Sequence, residues 1–323
     1  MKLLVVGVGS IGRIHALNAS KYADVGVVDL DIEKANEVAI ECAGVSYGND
    51  IDKALQGGYQ GVIVSTPHRY HISVASMAIE SGSDVLIEKP LSHDYKDARS
   101  FIEYAKLINR NVFVVCNMRF HPAVQVLHKN LSKIGKPLFA RAHYGNYLPD
   151  MRDGVDYRQL YVADKEEGGV ILDGIHELDY LSWFFGLITE KLSDTGHISS
   201  LEIDADDYAA IIAKHKTGVR SEIHLDYLRR VKRRGCEVGG TDGVLDWISE
   251  GKKPEHCVVR LYKPETGWKT ILYEPHIDSA APLKMMMKEF VKALNGDVNI
   301  LQSGAHALNL LSVVLSARND NNG

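Results

Sequence analysis

The first 118 residues alternate between short apolar runs and longer amphipathic runs. Segments such as "KLLVVGVG", "GVIVSTP" and "DVLIEKP" have the length and composition of buried strands, and runs such as "YKDARSFIEYAKLIN" have helical periodicity. Strands and helices that alternate in this way fold into a parallel sheet with helices on both faces. The sequence therefore predicts a doubly wound α/β domain over residues 1–120.

A different pattern runs from residue 121 to residue 323. Helices are predicted at "PAVQVLHKNLSKIG" and near "GGVILDGIHELDYLSWFFG", and strand-like segments are "LFARAHYG", "DYAAIIAKHKTG", "VRSEIHLDYLRR", "RGCEVGGTDGVLDWIS", "HCVVRLYKP" and "WKTILYEP". Two amphipathic helices, "APLKMMMKEFVKALNG" and "GAHALNLLSVVLSAR", follow, and whether they pack back on the first domain is left open. The prediction is an α+β domain with a large, open, mainly antiparallel sheet. An apolar face of that sheet would be buried against a sister subunit in a homodimer or homotetramer.

Composition narrows the class of protein. The chain has 323 residues, 45% hydrophobic and 24% charged, with a net charge of −5, so about two domains and no nucleic-acid partner are expected. The basic segment "LRRVKRRG" is interpreted as a solvated sheet edge. No run approaches the roughly 20 apolar residues that span a bilayer, and glycines interrupt the amino-terminal run where a signal peptide would continue. These features predict no membrane partner. The four cysteines form no C-x-x-C pair, which predicts reduced, buried thiols and a cytoplasmic location. No metal site is expected, because "HELDY" lacks the second histidine of H-E-x-x-H and no cysteine stands near it.

The segment "VVGVGSIG" places three glycines in G-x-G-x-x-G spacing between a strand and a helix. Gly7 allows a tight turn, Gly9 lets a diphosphate approach the backbone, and Gly12 lets the helix pack on the strand. The next strand ends in Asp29, where a carboxylate would accept both hydroxyls of an adenosine ribose. Because that carboxylate would repel a 2′-phosphate and no arginine follows it, NAD is expected rather than NADP. These features predict a Rossmann dinucleotide-binding domain.

A second loop, "STPHRYH", follows the next apolar strand of this domain. Ser65, Thr66 and Pro67 are expected to pass beneath the nicotinamide half of the cofactor. His71 is either a contact of the cofactor or substrate, or a residue at a helix start that packs on its neighbours. The sequence does not choose between these two roles.

The stretch "VLIEKPLS" ends a further buried strand directly in charged residues. Glu88 and Lys89 therefore lie at the carboxyl end of a parallel strand, the edge at which ligands bind in open α/β sheets. A lysine ammonium beside a hydroxyl that is being oxidised would stabilise the developing negative charge.

The order of these motifs resembles that of the glucose–fructose oxidoreductase, inositol dehydrogenase and MocA family. The similar features are the glycine loop, "STPHRYH" in place of T-P-x-x-x-H, "EKP", "EGGVILDGIHELD" and "CEVGGTDGVLDW", which together cover nearly the whole chain. The resemblance implies that Lys89 lies against the nicotinamide and the substrate, that Pro90 sets the turn, often through a cis bond, and that Glu88 helps to position the loop. The cofactor-binding residues expected on these grounds are Gly7, Gly9, Ser10, Ile11, Gly12, Asp29, Ser65, Thr66, Pro67, His71, Glu88 and Lys89.

The helix predicted around "DGIHELDY" places Asp173, His176 and Tyr180 on one face at spacings of three and four. The resemblance makes His176 the expected general base, with a carboxylate to orient it. Only two residues separate Asp173 from His176, whereas the family commonly has three. Asp179 keeps its expected position, so the sequence leaves open which carboxylate supports the histidine and whether Asp173 instead binds a substrate hydroxyl.

Arginine and aromatic side chains flank this helix in the sequence and suit a polyol that carries a phosphate, carboxylate or nucleotide group. The expected substrate-binding residues are Arg119, Tyr147, Arg152, Tyr157, Arg158, Asp173 and His176. The alternative is that the segment before the helix forms a mobile lid or a subunit contact.

The expected function is that of an NAD-dependent oxidoreductase, which transfers a hydride between a secondary hydroxyl of a sugar, cyclitol or sugar nucleotide and the nicotinamide. Lys89, His176 and Asp173 are the candidate catalytic residues. Two alternatives remain at this point. One is a non-catalytic dinucleotide sensor or scaffold, and the other is an oxidoreductase that holds its cofactor tightly and does not release it.

Overall fold

The computed structural model describes residues 1–251, 255–297 and 299–319, and the chain divides into two compact units. The first unit comprises Met1–Asn117 and Ala280–Leu311, and the second comprises Met118–Ser279 and the chain from Ser312. The segment Ala280–Leu311, whose packing the sequence left open, therefore folds with the first unit. The long carboxyl-terminal helix begins in the first unit and ends in the second.

The first unit contains a seven-stranded sheet with helices between its strands. Its elements are β1 Lys2–Val6, α1 Ser10–Ala19, β2 Asp24–Val28, α2 Ile32–Glu41, β3 Val45–Ser46, α3 Ile51–Leu55, β4 Gly61–Val64, α4 His71–Glu80, β5 Asp84–Ile87, α5 Tyr95–Leu107 and β6 Val112–Val114. The strand order is β3-β2-β1-β4-β5-β6, all parallel, which is the order of a doubly wound dinucleotide-binding sheet. The Rossmann prediction is confirmed.

The second unit contains an eight-stranded sheet with helices packed against it. Its elements are α6 Pro122–Asn130, β7 Pro137–Gly145, α7 Val170–Asp173, α8 Ile175–Phe185, β8 Ile188–Gly196, β9 Tyr208–His215, β10 Arg220–Asp226, β11 Arg233–Gly240, β12 Val244–Glu250, β13 His256–Lys263 and β14 Gly267–Glu274. The order is β14-β13-β12-β11-β7-β10-β9-β8, antiparallel at every pairing except that of β7 with β10. The predicted large, mainly antiparallel sheet is confirmed.

Three further elements lie near the end of the chain: α9 Ala281–Leu294, β15 Gln302–Ser303 and α10 Gly304–Asn319. Helix α9 packs on α1 and buries Leu283, Met287 and Phe290, as its apolar stripe predicts. Strand β15 adds an antiparallel edge to the sheet beside β6, which the sequence interpretation did not include. In the part of the chain that the structure describes, no helix is long and apolar enough to cross a membrane.

The structure corrects two expectations about the second unit. The helix predicted around "DGIHELDY" is two helices, because the chain turns at Gly174 between α7 and α8, where a Cβ would lie 2.8 Å from both methyl groups of Leu225. The basic segment 228–235 is not a sheet edge. It forms the loop after β10 and the start of β11, an interior strand between β12 and β7.

Candidate active site

The glycine loop joins β1 to α1 in a conformation that depends on its glycines. Gly7 has φ of +84°, and a Cβ on Gly12 would lie 1.8 Å from the Gly7 carbonyl oxygen. Gly9 differs from both, because none of the described atoms lies within 4 Å of the Cβ position there. The space in front of Gly9 is therefore open on the side where a side chain would otherwise project, as close approach of a diphosphate requires.

The amino terminus of α1 is suited to an anion. The N-cap is Gly9, no side chain among the described residues caps the helix, and its first turn, with Ser10 and Ile11, carries no acidic residue. The first amides of a helix carry partial positive charge, so an uncapped start favours a phosphate. A cleft of about 400 Å³ adjoins this turn, lined in part by Val8, Gly9 and Ser10. The local geometry fits the diphosphate of a dinucleotide.

Asp29 follows the last residue of β2, at the carboxyl edge of the sheet. Its Oδ2 accepts a hydrogen bond from the Val8 amide at 2.6 Å, and its Oδ1 accepts one from the Asp31 amide at 2.9 Å. Both bonds hold the carboxylate beside the glycine loop. Each oxygen retains a lone pair that could accept a ribose hydroxyl.

The predicted cofactor loops meet at one edge of the sheet, because β1, β4 and β5 are neighbours. The Ser65 amide donates to the Val6 carbonyl at 2.9 Å, and the Glu88 amide donates to the Val64 carbonyl at 2.9 Å. Each loop therefore continues the hydrogen bonding of its strand for one residue. Thr66 and Pro67 follow Ser65 in the loop between β4 and α4, which is where the sequence predicts them.

His71 lies beneath these loops, at the first position of α4, and is fully buried. Its Nδ1 lies 2.9 Å from the Pro90 carbonyl oxygen, and its Nε2 lies 2.9 Å from the Thr66 carbonyl oxygen. Burial lowers the pKa of His71, which favours the neutral ring, and a neutral ring donates to only one of these carbonyls. His71 therefore braces the two loops, which agrees with the packing role, one of the two that the sequence left open; its contact with the cofactor or substrate stays a prediction.

Glu88 connects the Lys89 segment to the glycine-loop helix. Its Oε1 lies 2.7 Å from Nε2 of His15, which is fully buried on α1, and its Oε2 accepts the Lys89 amide at 3.1 Å. The Lys89–Pro90 bond is cis. The sequence interpretation missed His15. Its position three residues after Gly12, on the helix face toward the sheet, is the signal that could have identified it.

In the second unit, Asp173 and His176 flank the turn between α7 and α8. Gly174 packs on Leu225 near the end of β10, so this turn lies over the edge where the parallel strands β7 and β10 both end. Asp173 accepts a hydrogen bond from the Tyr161 hydroxyl at 3.3 Å. Burial raises the pKa of the Tyr227 hydroxyl, and the Asp173 carboxylate raises it further. His176 is half-buried at the second position of α8.

Asp179 pairs with Arg119, whereas the sequence analysis considered Asp179 as the carboxylate that supports His176. It is fully buried and receives a bidentate interaction from Arg119, from Nε at 2.9 Å and from a terminal nitrogen at 2.6 Å. Arg119 is itself only 3% exposed. The arginine expected to bind substrate therefore forms an internal ion pair that anchors α8, which leaves Asp173 as the carboxylate candidate beside His176.

A second buried ion pair anchors the same helix and was not anticipated. Glu177 is fully buried, with an oxygen 2.8 Å from Nε of Arg234 at the start of β11. Arg234 also lies over the Tyr144 ring, 4.1 Å from its centroid. Burial raises the pKa of Glu177, and the Arg234 charge opposes that rise. Two ion pairs thus bracket the helix that carries His176.

The remaining expected substrate residues differ in their surroundings. Arg158 pairs with Asp156 and Glu202, both at 2.7 Å, and the Tyr157 hydroxyl accepts the Glu202 amide at 3.2 Å. Arg152 is exposed and forms no ion pair with any described residue. Tyr147 is half-buried and carries the guanidinium of Arg230 over its ring, 3.7 Å from the centroid. Arg230 was not among the expected residues.

Comparison with known families gives two matches in chain order. Residues 1–115 match the model of an oxidoreductase family with an NAD-binding Rossmann fold. Residues 130–246 match the model of the GFO/IDH/MocA C-terminal domain. The chain belongs to the Gfo/Idh/MocA oxidoreductase family. The resemblance drawn from its motifs is confirmed, and so is the expectation of an oxidoreductase with an NAD-binding domain.

Two proteins similar to this chain are named as dehydrogenases of a sugar or a sugar nucleotide. It is 27% identical over 340 residues to D-apiose dehydrogenase of Paraburkholderia graminis, covering 97% of this chain and 87% of that protein. It is 34% identical over 196 residues to UDP-N-acetylglucosamine 3-dehydrogenase of Acidithiobacillus ferrooxidans, covering 59% and 60%. Its fold is similar, with a TM-score of 0.83 and 20% identity over 100% and 97% of the chains, to an oxidoreductase from Agrobacterium radiobacter in complex with NAD+, L-tartaric acid and magnesium.

Proposed function

We propose that this Gfo/Idh/MocA member is an NAD-dependent dehydrogenase of a secondary hydroxyl on a sugar, cyclitol or sugar nucleotide. The observation that carries the proposal is the convergence of the glycine loop, the Ser65 loop and the Lys89 segment on one sheet edge. His71 braces the Ser65 loop and the Lys89 segment. The His15 contact with Glu88 ties the Lys89 segment to α1, the helix that follows the glycine loop. Such an edge is where a doubly wound sheet binds its ligand.

NAD is proposed over NADP because of the charges around Asp29. The carboxylate is held beside the loop by two backbone amides and would repel a 2′-phosphate. Two basic side chains line the cleft beside the glycine loop, and both are already paired, Lys34 with Asp31 at 2.9 Å and Arg13 with Glu41 at 2.7 Å. A 2′-phosphate would therefore meet one fixed negative charge and two neutralised cations.

The chemistry assigns a role to each candidate residue. Oxidation of a secondary alcohol removes a hydride from carbon and a proton from oxygen, and bound NAD supplies the hydride acceptor. The Lys89 ammonium stabilises the negative charge that develops on the oxygen. His176 accepts the proton as a neutral imidazole, and Asp173, at the end of α7, stabilises the imidazolium that results.

The proposal also includes a cellular location and an oligomeric state. The four cysteines are buried and form no disulfide among the described residues, which supports a reducing compartment such as the cytoplasm. One face of the eight-stranded sheet keeps large apolar side chains exposed, including Leu192 at 73% and Ile212 at 53%. Such a face supports association of two or four chains through the sheet.

The test is a spectrophotometric assay at 340 nm with NAD and NADP in parallel, on cyclitols, aldoses, sugar phosphates and UDP-sugars. Turnover with NAD is expected, and Lys89→Met should lower kcat by about 100-fold or more without weakening NAD binding measured by calorimetry. Lys96→Met, which removes an exposed lysine of α5, is the matched control and should retain activity. Equal kcat for wild type and Lys89→Met would contradict the role of Lys89.

A further inference from the structure

The basic segment 228–235 contains five cationic side chains, and four of them have a carboxylate partner. The pairs are Arg229 with Asp226 at 3.5 Å, Lys232 with Glu255 at 2.5 Å, Arg233 with Glu250 at 3.2 Å and Arg234 with Glu177 at 2.8 Å. Arg230 is the fifth, and no described carboxylate pairs with it. Its charge is therefore available to a ligand.

Arg230 is held in place by an aromatic ring. The guanidinium lies 3.7 Å from the centroid of Tyr147, a close cation–π stack, and the residue is nonetheless exposed. Stacking occupies one face of the guanidinium plane and leaves its N–H groups at the rim, where they can donate in the fork geometry that matches a carboxylate or phosphate. The stack also reduces the rotamer entropy that an isolated surface arginine would lose on binding.

The stack of Arg230 on Tyr147 lies at the same sheet edge as the candidate catalytic residues of the second unit. Tyr147 follows β7 and Arg230 follows β10, two parallel strands whose register pairs Gly145 with Asp226. Beyond the strand ends, the Leu148 amide donates to the Tyr227 carbonyl at 3.0 Å. Gly174, the residue after Asp173, packs on Leu225 near the end of β10, so the stack and Asp173 lie at the same edge of the sheet.

The other arginines expected to meet an anion are less suited to the task. Arg119 is buried and held bidentately by Asp179, and Arg158 is held by Asp156 and Glu202. A substrate anion would have to displace a carboxylate from either of them. At Arg230 it would meet an oriented guanidinium with no competing carboxylate among the described residues.

We propose that Arg230, stacked on Tyr147, binds a carboxylate or phosphate group of the substrate, so that the preferred substrate is an anionic sugar or cyclitol derivative. This inference rests on the proposed dehydrogenase function and specifies its substrate class. An electrostatic role in binding predicts a change in KM for anionic compounds alone, whereas a purely structural role of the stack predicts the same change for every compound.

The test compares D-glucose, D-glucuronate, D-glucose 6-phosphate and UDP-glucose as substrates of wild type, Arg230→Gln and Arg230→Lys. Arg230→Gln should raise KM for the preferred anionic compound by about 10- to 100-fold at nearly constant kcat and leave the neutral sugar unaffected. Arg230→Lys should give an intermediate KM. Arg220→Gln, at the opposite end of β10 and also exposed, is the control and should match wild type. Glucuronate and the phosphate compounds distinguish the two anionic groups.

Calorimetry of the NAD-loaded protein with the same compounds and with inorganic phosphate separates this inference from the proposed function. Turnover with equal KM in wild type and Arg230→Gln would overturn the inference and leave the dehydrogenase intact. Absence of turnover, with anions bound at least 10-fold more tightly by wild type than by Arg230→Gln, would support the anion site and count against the dehydrogenase. If wild type binds none of the anions, the inference is overturned.

Discussion

At the residue scale, His121 shows how burial alters a titratable group in the second unit. It is 5% exposed, its ring lies 5.1 Å from that of Trp247, and its Nδ1 accepts the Ala123 amide at the start of α6 at 3.2 Å. Burial lowers the pKa of His121 to about 3, and the charges of Arg234 and Lys232 contribute to the shift. The folded protein therefore holds this histidine neutral.

The depressed pKa makes stability depend on pH with a definite sign. The unfolded chain protonates His121 near its ordinary pKa of 6.5, whereas the folded chain does so only near 3, so the free energy of unfolding falls as pH drops through this window. His121→Asn keeps an acceptor for the helix cap but does not titrate. Between pH 6 and pH 4 the variant should lose about 1.4 kcal/mol less stability per pH unit than wild type, measured by urea denaturation.

His93→Asn serves as the control for this prediction, since His93 is exposed in the segment between β5 and α5. Its pH profile should follow that of wild type. Parallel profiles for wild type and His121→Asn would show that His121 is protonated in the folded protein over this range.

At the element scale, two glycines near the start of α1 have different roles, because Gly12 is required for folding and Gly9 for cofactor binding. A Cβ at Gly9 would enter open space, and the backbone there, with φ of −60° and ψ of −167°, is allowed to any residue. A Cβ at Gly12 would overlap the Gly7 carbonyl oxygen. The same motif thus contains one glycine that leaves space for a ligand and one that permits helix packing.

Gly9→Ala and Gly12→Ala are therefore expected to fail in different ways. Gly9→Ala should keep the thermal midpoint of wild type within about 2 °C while weakening NAD binding by about 10-fold or more, because the added methyl group occupies the diphosphate side of the loop. Gly12→Ala should lower the midpoint substantially, since the backbone must move to accommodate the methyl group. Calorimetric titration with NAD and thermal denaturation measure the two effects. Unchanged NAD affinity in Gly9→Ala would place the diphosphate elsewhere.

At the scale of the whole molecule, the eight-stranded sheet has one face that helices cover and one that carries exposed apolar side chains. In β9 the covered face holds Ala209, Ile211 and Ala213, and the opposite face presents Ile212 beside Leu192 of β8. Exposed Trp268 and Tyr273 add to that face on β14. Monomers seldom leave so many large apolar side chains on one sheet face, so a further chain is the expected cover.

Light scattering coupled to size-exclusion chromatography tests this assembly. Wild type should elute with the mass of two or four chains, and Ile212→Lys should shift the population toward the monomer, because a buried lysine in the interface lacks a partner. Leu107→Lys replaces an apolar residue that is even more exposed, at 80% on α5 of the first unit, and should leave the mass unchanged. A monomeric wild type would contradict assembly through the sheet.

The amino-acid pattern succeeds where structure depends on residues close together in the chain. Apolar runs with intervening amphipathic helices predict the parallel sheet, and the G-x-G-x-x-G spacing predicts the loop that the structure places between β1 and α1. It fails at β8, "ITEKLSDTG", an edge strand whose exposed face breaks the apolar alternation on which strand prediction depends. It also fails at Gly174, where close packing on Leu225 turns a helix that periodicity would continue.

The sequence by itself determined the doubly wound sheet, the glycine loop and the position of Lys89 at a strand end, since local periodicity and glycine conformation set all three. Tertiary structure decided which charges meet. His15 lies 73 residues from Glu88, and Arg119 lies 60 residues from Asp179, so no local pattern reports either contact. The same holds for Arg230. In the sequence it is one of five basic residues in a run, and only the folded chain shows that it has no carboxylate partner among the described residues. Whether two charged side chains pair depends on the distance between them in space. Burial and strand register set that distance once the helices and strands have packed together.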